Sequence, residues 1–241
     1  AINGSGALRY PVWNEIPPAP FSKGGEAPGS FYSPFRKGGG GILESTPIEG
    51  RETIAMEALL YEKLEDRKVR CALCSHRCVI PEGRRGICSV RENRGGILNT
   101  LVYGRLIAGH IDPIEKKPLF HFLPGSLSYS IATVGCNFRC RFCQNADIAQ
   151  MPADSGGAII GEQTRAAEIV AAAEAGGCRR ISYTYTEPTV FFEFALETAI
   201  LARAKGIRNV FVTNGYMTRE ALEMISPWLD AANVDLKAFA P

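Results

Sequence analysis

The stretch LSYSIATVGCNFRCRFCQN, residues 127–145, passes from a hydrophobic strand directly into a loop with three cysteines. After it, strands and helices alternate to the end of the chain. The predicted helices cover residues 162–177, 189–206 and 218–225, and the predicted strands cover 179–188, 208–216 and 231–239. Glycines end the first two helices, and Thr218 is the expected N-cap of the third. This order predicts an α/β fold whose parallel strands are joined by right-handed crossovers, in an open doubly wound or a barrel-like sheet.

Polar or metal-binding side chains stand where each of these strands ends. In both kinds of sheet, chemistry takes place at the C-terminal ends of the strands. The residues are Cys136, Cys140 and Cys143 after the first strand, Thr186 and Glu187 after the second, Thr213 and Asn214 after the third, and Asp235 and Lys237 in the fourth. We therefore predict one functional site along this edge of the sheet.

Composition limits the classes of partner. The 241 residues are 46% hydrophobic, enough for a packed core, and 27 basic against 25 acidic residues leave a formal net charge of +2. So small a charge argues against nucleic acid and against an anionic membrane surface as partners. Neither a membrane-spanning apolar run nor a signal peptide is recognisable in the sequence. We expect a cytoplasmic protein that binds a small molecule or another protein.

Eight cysteines are unusual for such a protein. Because cytosolic thiols are kept reduced, they indicate metal binding or catalysis rather than disulfides. Seven of them fall into two groups, Cys71, Cys74, Cys78 and Cys88 in one, and Cys136, Cys140 and Cys143 in the other. Cys178 stands alone before an apolar strand, and we interpret it as a small buried hydrophobic residue.

The spacing C-x3-C-x2-C in residues 136–143 suits an iron–sulfur cluster. Three thiolates can ligate three irons of a 4Fe-4S cluster and leave the fourth iron open to a substrate that carries amino and carboxylate groups. Phe142 offers an aromatic face against which a purine could pack. Arg139 and Arg141 either offset the negative charge of the cluster or are solvated loop residues.

With these residues the chain resembles the radical S-adenosylmethionine enzymes. The likeness extends over residues 52–241 and is nearest to the radical enzymes of the AmmeMemoRadiSam system, relatives of pyruvate formate-lyase activating enzyme. It is carried by CALCSHRCVIPEGRRGICSVRENRGG, DPIEKKPLFHFLPG, SIATVGCNFRCRFCQN, YTYTEPTVFFEF and VDLKAF. The resemblance implies a partial (β/α) barrel that cleaves S-adenosylmethionine reductively. The resulting 5'-deoxyadenosyl radical would abstract hydrogen from an unidentified substrate, which could be a protein, and flavodoxin or ferredoxin would supply the electron.

The same resemblance assigns roles to the cysteine loop. Cys136, Cys140 and Cys143 correspond to the cluster ligands. Phe142 is expected near the adenine, and Asn145 joins the cofactor-binding set.

Further cofactor-binding residues come from the later strands. Glu187 takes the place of an acidic residue that accepts a hydrogen bond from the methionine ammonium. Thr213 and Asn214 are candidates for the ribose and methionine side, and Lys237 for the carboxylate. Asp235 is either a cofactor contact, a ligand of a monovalent cation or a residue that holds a backbone turn.

Two departures from the family pattern are visible. Ala146 stands directly after CQN, where this group usually has a tryptophan, so some packing near the cofactor would be lost. The chain stops after the fourth strand, so we expect residues 127–241 to be the N-terminal part of a truncated barrel. In such a fragment the cluster could assemble while turnover fails.

Two segments precede this core. Residues 1–51, rich in glycine and proline with the near-repeat PFSKGG and PFRKGG, are expected to be a disordered extension. Residues 52–126 are expected to form a helix and a cysteine-rich metal-binding segment. The helix is predicted over 52–67, because Met56, Leu59 and Leu64 share one face with Leu60.

The spacing of Cys71, Cys74, Cys78 and Cys88 makes them a candidate second metal site. A zinc ion and an auxiliary iron–sulfur cluster both remain open, as do four reduced thiols. His76, between the second and third cysteines, is interpreted as a solvated loop residue rather than a ligand.

The remaining histidines, His110 and His121, are given structural roles. For the whole chain, three alternatives to a general radical enzyme stay open. They are an activase that installs a glycyl radical on a partner enzyme, a zinc or iron–sulfur module without S-adenosylmethionine chemistry, and an inactive fragment.

Overall fold

The structure is a computed structural model that describes residues 56–238. The predicted extension over residues 1–51 lies outside the described residues. The described chain forms thirteen strands: β1 Met56–Glu57, β2 Tyr61–Lys63, β3 Val69–Cys71, β4 Val79–Ile80, β5 Arg91–Arg94, β6 Ile97–Thr100, β7 Arg105–Leu106, β8 Ala108–Pro113, β9 Leu127–Ala132, β10 Glu162–Gln163, β11 Arg180–Tyr183, β12 Arg208–Thr213 and β13 Ala231–Val234. It also forms five α-helices: α1 Ala146–Ala149, α2 Met151–Asp154, α3 Ala166–Ala175, α4 Phe192–Ala204 and α5 Arg219–Ile225.

A five-stranded sheet in the order β13-β12-β11-β9-β8 organises the later part of the chain. Its first four strands are parallel, and β8 pairs antiparallel with β9. Tyr183 of β11 stands opposite Ile131 on one side and Phe211 on the other, so the three central strands end level with one another. The predicted α/β character and parallel pairing are therefore confirmed, and the strand ends meet at one edge.

The glycine stop signals and the Thr218 cap lie where the sequence predicted them, but the start predicted for the first helix is wrong, because residues 162–163 form β10 and α3 begins at Ala166. Gly177, with φ of 63°, and Gly206, with φ of 72°, adopt the left-handed conformation that follows a helix C-terminus. Thr218 caps α5, because its hydroxyl accepts a hydrogen bond from the amide of Ala221 at 3.2 Å. Within residues 56–238, every helix is too short or too polar to cross a membrane.

The helix predicted over residues 52–67 is wrong where the structure describes it. Residues 56–57 and 61–63 are short strands, and Leu60, Asp66 and Arg67 have positive φ angles near 54°, which an α-helix cannot contain. β1 pairs with β6, and β2 pairs with β3. β6 is distant in sequence, and β3 follows β2 after a five-residue turn, so apolar spacing that suits one helix face did not indicate either pairing.

The segment before the large sheet packs into the same hydrophobic core as the sheet and its helices. Val69, Leu73 and Ile80 are buried together with Ile131 of β9 and Phe191 at the start of α4. Two small sheets, β1-β6-β5 and β2-β3-β4, lie within this segment, and β7 of the segment pairs with the later β10. The cysteine-rich residues are thus held against the α/β part by a continuous apolar contact.

A buried ion pair joins the two parts of this core. Arg91 of β5 and Glu193 of α4 are hydrogen bonded, with 1% and 0% of their side chains exposed. Arg91 also donates to the Leu59 carbonyl at 3.0 Å, while the Leu59 amide donates to Glu193 at 2.8 Å. Burying two charges is favourable only when they are paired, so this contact fixes β5 relative to α4.

We predict that Glu193→Ala lowers the free energy of unfolding by about 3–5 kcal/mol, because it leaves the buried guanidinium without its counter-charge. Urea denaturation of the iron-free protein under reducing conditions measures the change. Glu223→Ala is the control, since the Glu223 carboxylate is 63% exposed in its pair with Arg219 and its removal should leave the midpoint unchanged. Equal midpoints for the two variants would contradict the role given to the buried pair.

Candidate active site

A cavity of about 840 Å³ lies at the edge where the parallel strands end. Every residue that the sequence assigned to the 4Fe-4S cluster or the cofactor lines it: Cys136, Cys140, Cys143, Phe142, Asn145, Glu187, Thr213, Asn214, Asp235 and Lys237. Thr186 lines it as well. The structure thus brings these strand-end side chains together around one cavity. The function of each residue is a separate question.

The cysteine loop starts at a glycine that no other residue could replace without strain. Gly135 has φ of 98°, and a Cβ there would lie 2.5 Å from Cγ1 of Val90. Its amide donates to the Ile148 carbonyl at 3.1 Å, which ties the loop to α1. The amide of Phe138 donates to Sγ of Cys136 at 3.4 Å. The loop therefore turns sharply at the strand end and places Cys136 on the cavity wall.

All eight cysteines of the chain lie within the described residues and are free thiols. Burial raises the pKa of Cys136 to about 12, and the nearby Glu187, Cys140 and Cys143 act in the same direction. A metal ion that binds here must displace the thiol proton. Among residues 56–238, no three His, Cys, Asp or Glu side chains already stand in positions to hold a single metal ion.

The carboxylate of Glu187 is the most heavily bonded group of the site. It is 2% exposed and accepts four hydrogen bonds. Oε1 accepts from the amide and hydroxyl of Thr189 and from the hydroxyl of Thr213, and Oε2 accepts from the amide of Asn214 at 2.8 Å. Burial raises the pKa of Glu187, and these donors oppose the shift. One carboxylate thus fixes the ends of β11 and β12 against each other.

Tyr185, which the sequence did not single out, forms another wall of the cavity. Its φ of 64° is unusual for an aromatic residue, and such conformations persist only where neighbouring contacts hold them. Asn145 donates to the Tyr185 carbonyl at 2.8 Å, and the Tyr185 hydroxyl donates to Asp112. The ammonium of Lys117 lies 4.4 Å from the centre of the Tyr185 ring. The strain and its fixation could not be inferred from the YTYTEP sequence alone.

The Asp112 carboxylate pairs with two lysines on this side of the cavity. Lys116 donates to its carboxylate at 2.7 Å and Lys117 at 2.8 Å. Burial alone would raise the pKa of Asp112, but hydrogen bonds from both lysines and from Tyr185 lower it well below its usual value. Burial lowers the pKa of Lys117, while Asp112 acts in the opposite direction. Both lysines line the cavity, and no sequence signal had marked them as site residues.

The outer wall of the cavity is more exposed. Lys237 is paired with Asp235 at 2.9 Å, and the amide of Asp235 donates to the Thr213 carbonyl at 2.8 Å. Phe142 is 67% exposed, so its ring is free to contact a ligand. Arg139 is exposed and pairs with Asp154 at 3.4 Å.

Arg141 is also exposed, and neither it nor Arg139 is among the cavity-lining residues. The solvated alternative for these arginines thus fits the structure. Ala146, the departure from the family pattern, is exposed at the start of α1 and is likewise not a lining residue.

Asn137 is a buried site residue that sequence reasoning missed. Its Oδ1 accepts a hydrogen bond from Nδ2 of Asn214 at 2.7 Å, and its carbonyl lies 2.8 Å from Nε2 of His76. His76 packs edge-on against Tyr216 and Phe138. The interpretation of His76 as a solvated loop residue is therefore wrong, because the ring is half-buried and bonded to the cysteine loop.

The first cysteine group lies behind this network. Cys71, Cys74, Cys78 and Cys88 line a second cavity of about 20 Å³ together with Arg91. Burial raises the pKa of Cys88 to about 12 and also raises that of Cys74, although the nearby Asn137 side chain acts in the opposite direction on Cys74.

The three remaining residues of the sequence assignment stand apart from both cavities. Cys178 is 5% exposed within the core, as predicted. His110 packs edge-on against Tyr185, and His121 is exposed.

Two curated proteins of Methanocaldococcus jannaschii are similar to this chain. The uncharacterized protein MJ0808 is 49% identical over 184 residues, which cover 76% of this chain and 54% of the relative. The uncharacterized protein MJ0674 is 28% identical over 171 residues, which cover 69% of this chain and 45% of the relative. The chain thus spans about half the length of the curated relatives it matches.

A protein-family model matches the later part of the chain. The model described as Radical SAM superfamily matches residues 130–241. The match begins inside β9 and includes the cysteine loop, Glu187 and the ends of β12 and β13. Residues 130–241 are therefore a Radical SAM superfamily domain.

Proposed function

We propose that this chain acts as a radical S-adenosylmethionine enzyme, with an open 4Fe-4S cluster on Cys136, Cys140 and Cys143 and S-adenosylmethionine beside it. The observation that carries the proposal is the shared cavity, which the three thiols line together with Glu187 and the polar ends of β12 and β13. Its volume of about 840 Å³ is within the range of small-molecule sites, roughly 300–1,000 Å³.

The donor set fits such a cluster. Three thiols serve three irons, and among residues 56–238 no further cysteine lines this cavity, so one iron keeps an open position. When bound, the cluster and S-adenosylmethionine supply reductive cleavage and hydrogen-atom abstraction. The protein's part is to bind and orient these groups and to exclude water.

Glu187 is suited to bind the amino group of the cofactor. Its Oε2 accepts one hydrogen bond from within the chain, from the Asn214 amide, and an oxygen of a carboxylate can accept a second. A bond from an ammonium to this buried carboxylate would be charge-assisted and therefore strong. Thr213 and Asn214, which are already fixed by Glu187, would present their polar atoms to the same ligand.

The outer residues would close around the rest of the cofactor. Lys237 can pair with its carboxylate on leaving Asp235, because the present pair is partly exposed and weak. The exposed ring of Phe142 would pack on the adenine. Asn145 connects the cysteine loop to Tyr185 and would hold these two walls of the cavity in place around the bound groups.

The substrate and the electron donor belong to the same proposal. A reducing partner such as flavodoxin or ferredoxin would supply the electron, and the substrate, which could be a protein, is unidentified. Both relatives are uncharacterized proteins and so indicate no substrate. The proposal is therefore made at the level of the radical S-adenosylmethionine class.

We predict that Cys140→Ser abolishes both cluster assembly and cofactor cleavage, because a cluster held by two thiolates is not retained. The full chain is reconstituted anaerobically with iron and sulfide and reduced with S-adenosylmethionine present. Iron per chain and 5'-deoxyadenosine are then measured. Wild type should bind about four irons at this site and form product.

The matched control is Cys178→Ser, which changes a cysteine that is buried in the core and is not a lining residue of this cavity. It should keep both iron and product. Iron that persists undiminished in Cys140→Ser would refute the ligand assignment.

We predict that Glu187→Gln weakens S-adenosylmethionine binding by roughly 10- to 100-fold, because it removes the charge from a hydrogen bond worth about 1.5–3 kcal/mol. Iron content should stay at the wild-type level. Equilibrium binding to the cluster-loaded protein gives the affinity. Glu197→Gln, at a half-buried glutamate that bonds Tyr103 away from the cavity, should bind normally. Equal affinities of the two variants would rule out the proposed contact.

A further inference from the structure

The first cysteine group has the features of a closed metal site. Its four sulfur-bearing side chains line one cavity, and they come from β3, from the turn that follows β3 and from the turn before β5. We propose that Cys71, Cys74, Cys78 and Cys88 bind a single zinc ion, which braces the loops of the cofactor cavity from behind. The bracing half of this inference rests on the proposed function, whereas the zinc half does not.

The size of the cavity favours one ion over a cluster. Its volume is about 20 Å³, close to the space that a single water molecule requires. A cuboidal 4Fe-4S cluster contains eight atoms and would have to push the walls apart. One zinc ion fits, and four cysteines are a common tetrahedral ligand set for structural zinc.

The walls leave the thiols room to converge. Cys74 and Cys78 are half-buried on the turn after β3, and a Cβ at Gly86 would lie 3.7 Å from Sγ of Cys78. No three potential ligands in the described chain stand in coordinating positions as they are. The thiols must therefore rotate toward the centre of the cavity when the ion enters, which side chains on short turns can do.

The surroundings of the cavity suit a negatively charged centre. Four thiolates around Zn²⁺ carry a net charge of −2, and the buried Arg91 lies with Nη1 3.5 Å from Sγ of Cys71. Its Nε has no hydrogen-bond partner among residues 56–238, so the guanidinium has donor capacity left.

Nδ2 of Asn137 is likewise buried and has no partner at normal hydrogen-bond distance among residues 56–238. It lies close enough to Cys74 to favour the thiolate. Such outer donors orient metal ligands and tune their affinity. Nε of Arg91 and Nδ2 of Asn137 are buried donors that have no other partner among residues 56–238.

The four cysteines lie close to the two loops of the cofactor cavity, which follow β9 and β12. The amide of Ser75 donates to the Tyr216 carbonyl at 2.9 Å, and the amide of Thr218 donates to the Leu73 carbonyl at 3.1 Å. His76 holds the Asn137 carbonyl, as described above. A Cβ at Gly135 would lie 3.3 Å from the Cys88 carbonyl oxygen. An ion that fixes this segment would therefore restrict the loops that follow β9 and β12.

The zinc assignment is tested by counting metals in the full chain after anaerobic reconstitution. Zinc and iron per chain are measured by mass spectrometry in wild type, Cys78→Ser, Cys88→Ser, Cys140→Ser and Cys178→Ser. Wild type should contain about one zinc, the number a single four-thiolate site holds. Cys78→Ser and Cys88→Ser should lose zinc. Cys140→Ser should lose iron and keep zinc, and Cys178→Ser should keep both.

Three results would overturn the assignment. The first is wild type without zinc, and the second is zinc that remains in both Cys78→Ser and Cys88→Ser. The third is the loss of about four irons, and not of zinc, from these two variants, which would indicate an auxiliary cluster. Because a serine variant could fail to fold, wild type is also loaded with Co²⁺ in place of zinc. Thiolate-to-cobalt charge-transfer absorption supports the site, and its absence opposes it. If wild type binds zinc but forms no 5'-deoxyadenosine, only the proposed function is contradicted. If it forms 5'-deoxyadenosine but binds no zinc, only this inference is contradicted.

The bracing is tested by amide hydrogen exchange, which does not depend on turnover. Zinc-loaded wild type and Cys88→Ser are compared over residues 135–145 and 214–218. Exchange in both loops should be faster in the variant, while α4 stays protected. Unchanged loop exchange in a variant that has lost its zinc would refute the bracing and leave the zinc site standing.

Discussion

The buried Glu187 carboxylate is the interaction on which the geometry of the cavity depends. A carboxylate at 2% exposure is costly unless donors replace water, and here Thr189, Thr213 and the Asn214 amide do so. Because Thr213 and Asn214 belong to the end of β12 while Glu187 follows β11, satisfying one charge also sets the distance between two strand ends. Asn214 passes this constraint on to Asn137 in the cysteine loop. The polar groups of the site are therefore in place before any ligand arrives.

The elements of the α/β part were predictable because their signals are local. Gly177 and Gly206 mark helix ends, Thr218 marks a helix start, and alternating strands and helices imply parallel pairing. The segment around Leu60 was not predictable in this way. Its apolar spacing suits a helix, yet β1 pairs at Thr100, which is distant in sequence, and β2 pairs at Cys71 through a tight turn whose positive φ angles apolar spacing does not reveal. Periodicity describes one face of an element and says nothing about long-range backbone pairing.

The residues of the site also divide into those marked by a local sequence pattern and those marked only by contacts that are distant in sequence. Spacing alone marked Cys136, Cys140 and Cys143 as candidate cluster ligands, because the C-x3-C-x2-C pattern is visible in the sequence itself. Asn137 and Tyr185 were not predicted as site residues, because their contacts are with residues that are distant in sequence. Asn137 bonds a residue 77 positions away, and Tyr185 bonds one 40 positions away. An asparagine inside a cysteine motif carries no mark of burial, and a positive φ at a tyrosine is visible only in three dimensions.

The two cysteine groups differ in the property that separates catalytic from structural metal sites. A catalytic metal needs an open ligand position and access for substrate, whereas a structural metal is closed by its protein ligands. The second group opens on a cavity of about 840 Å³ beside the exposed ring of Phe142. The first group surrounds about 20 Å³ between apolar side chains and the Arg91–Glu193 pair. Asn137 lies between them, bonded to Asn214 on one side and close to Cys74 on the other. The same buried amide thus contacts the loop after β12 and adjoins the first cysteine group, which is the connection on which the proposed bracing depends.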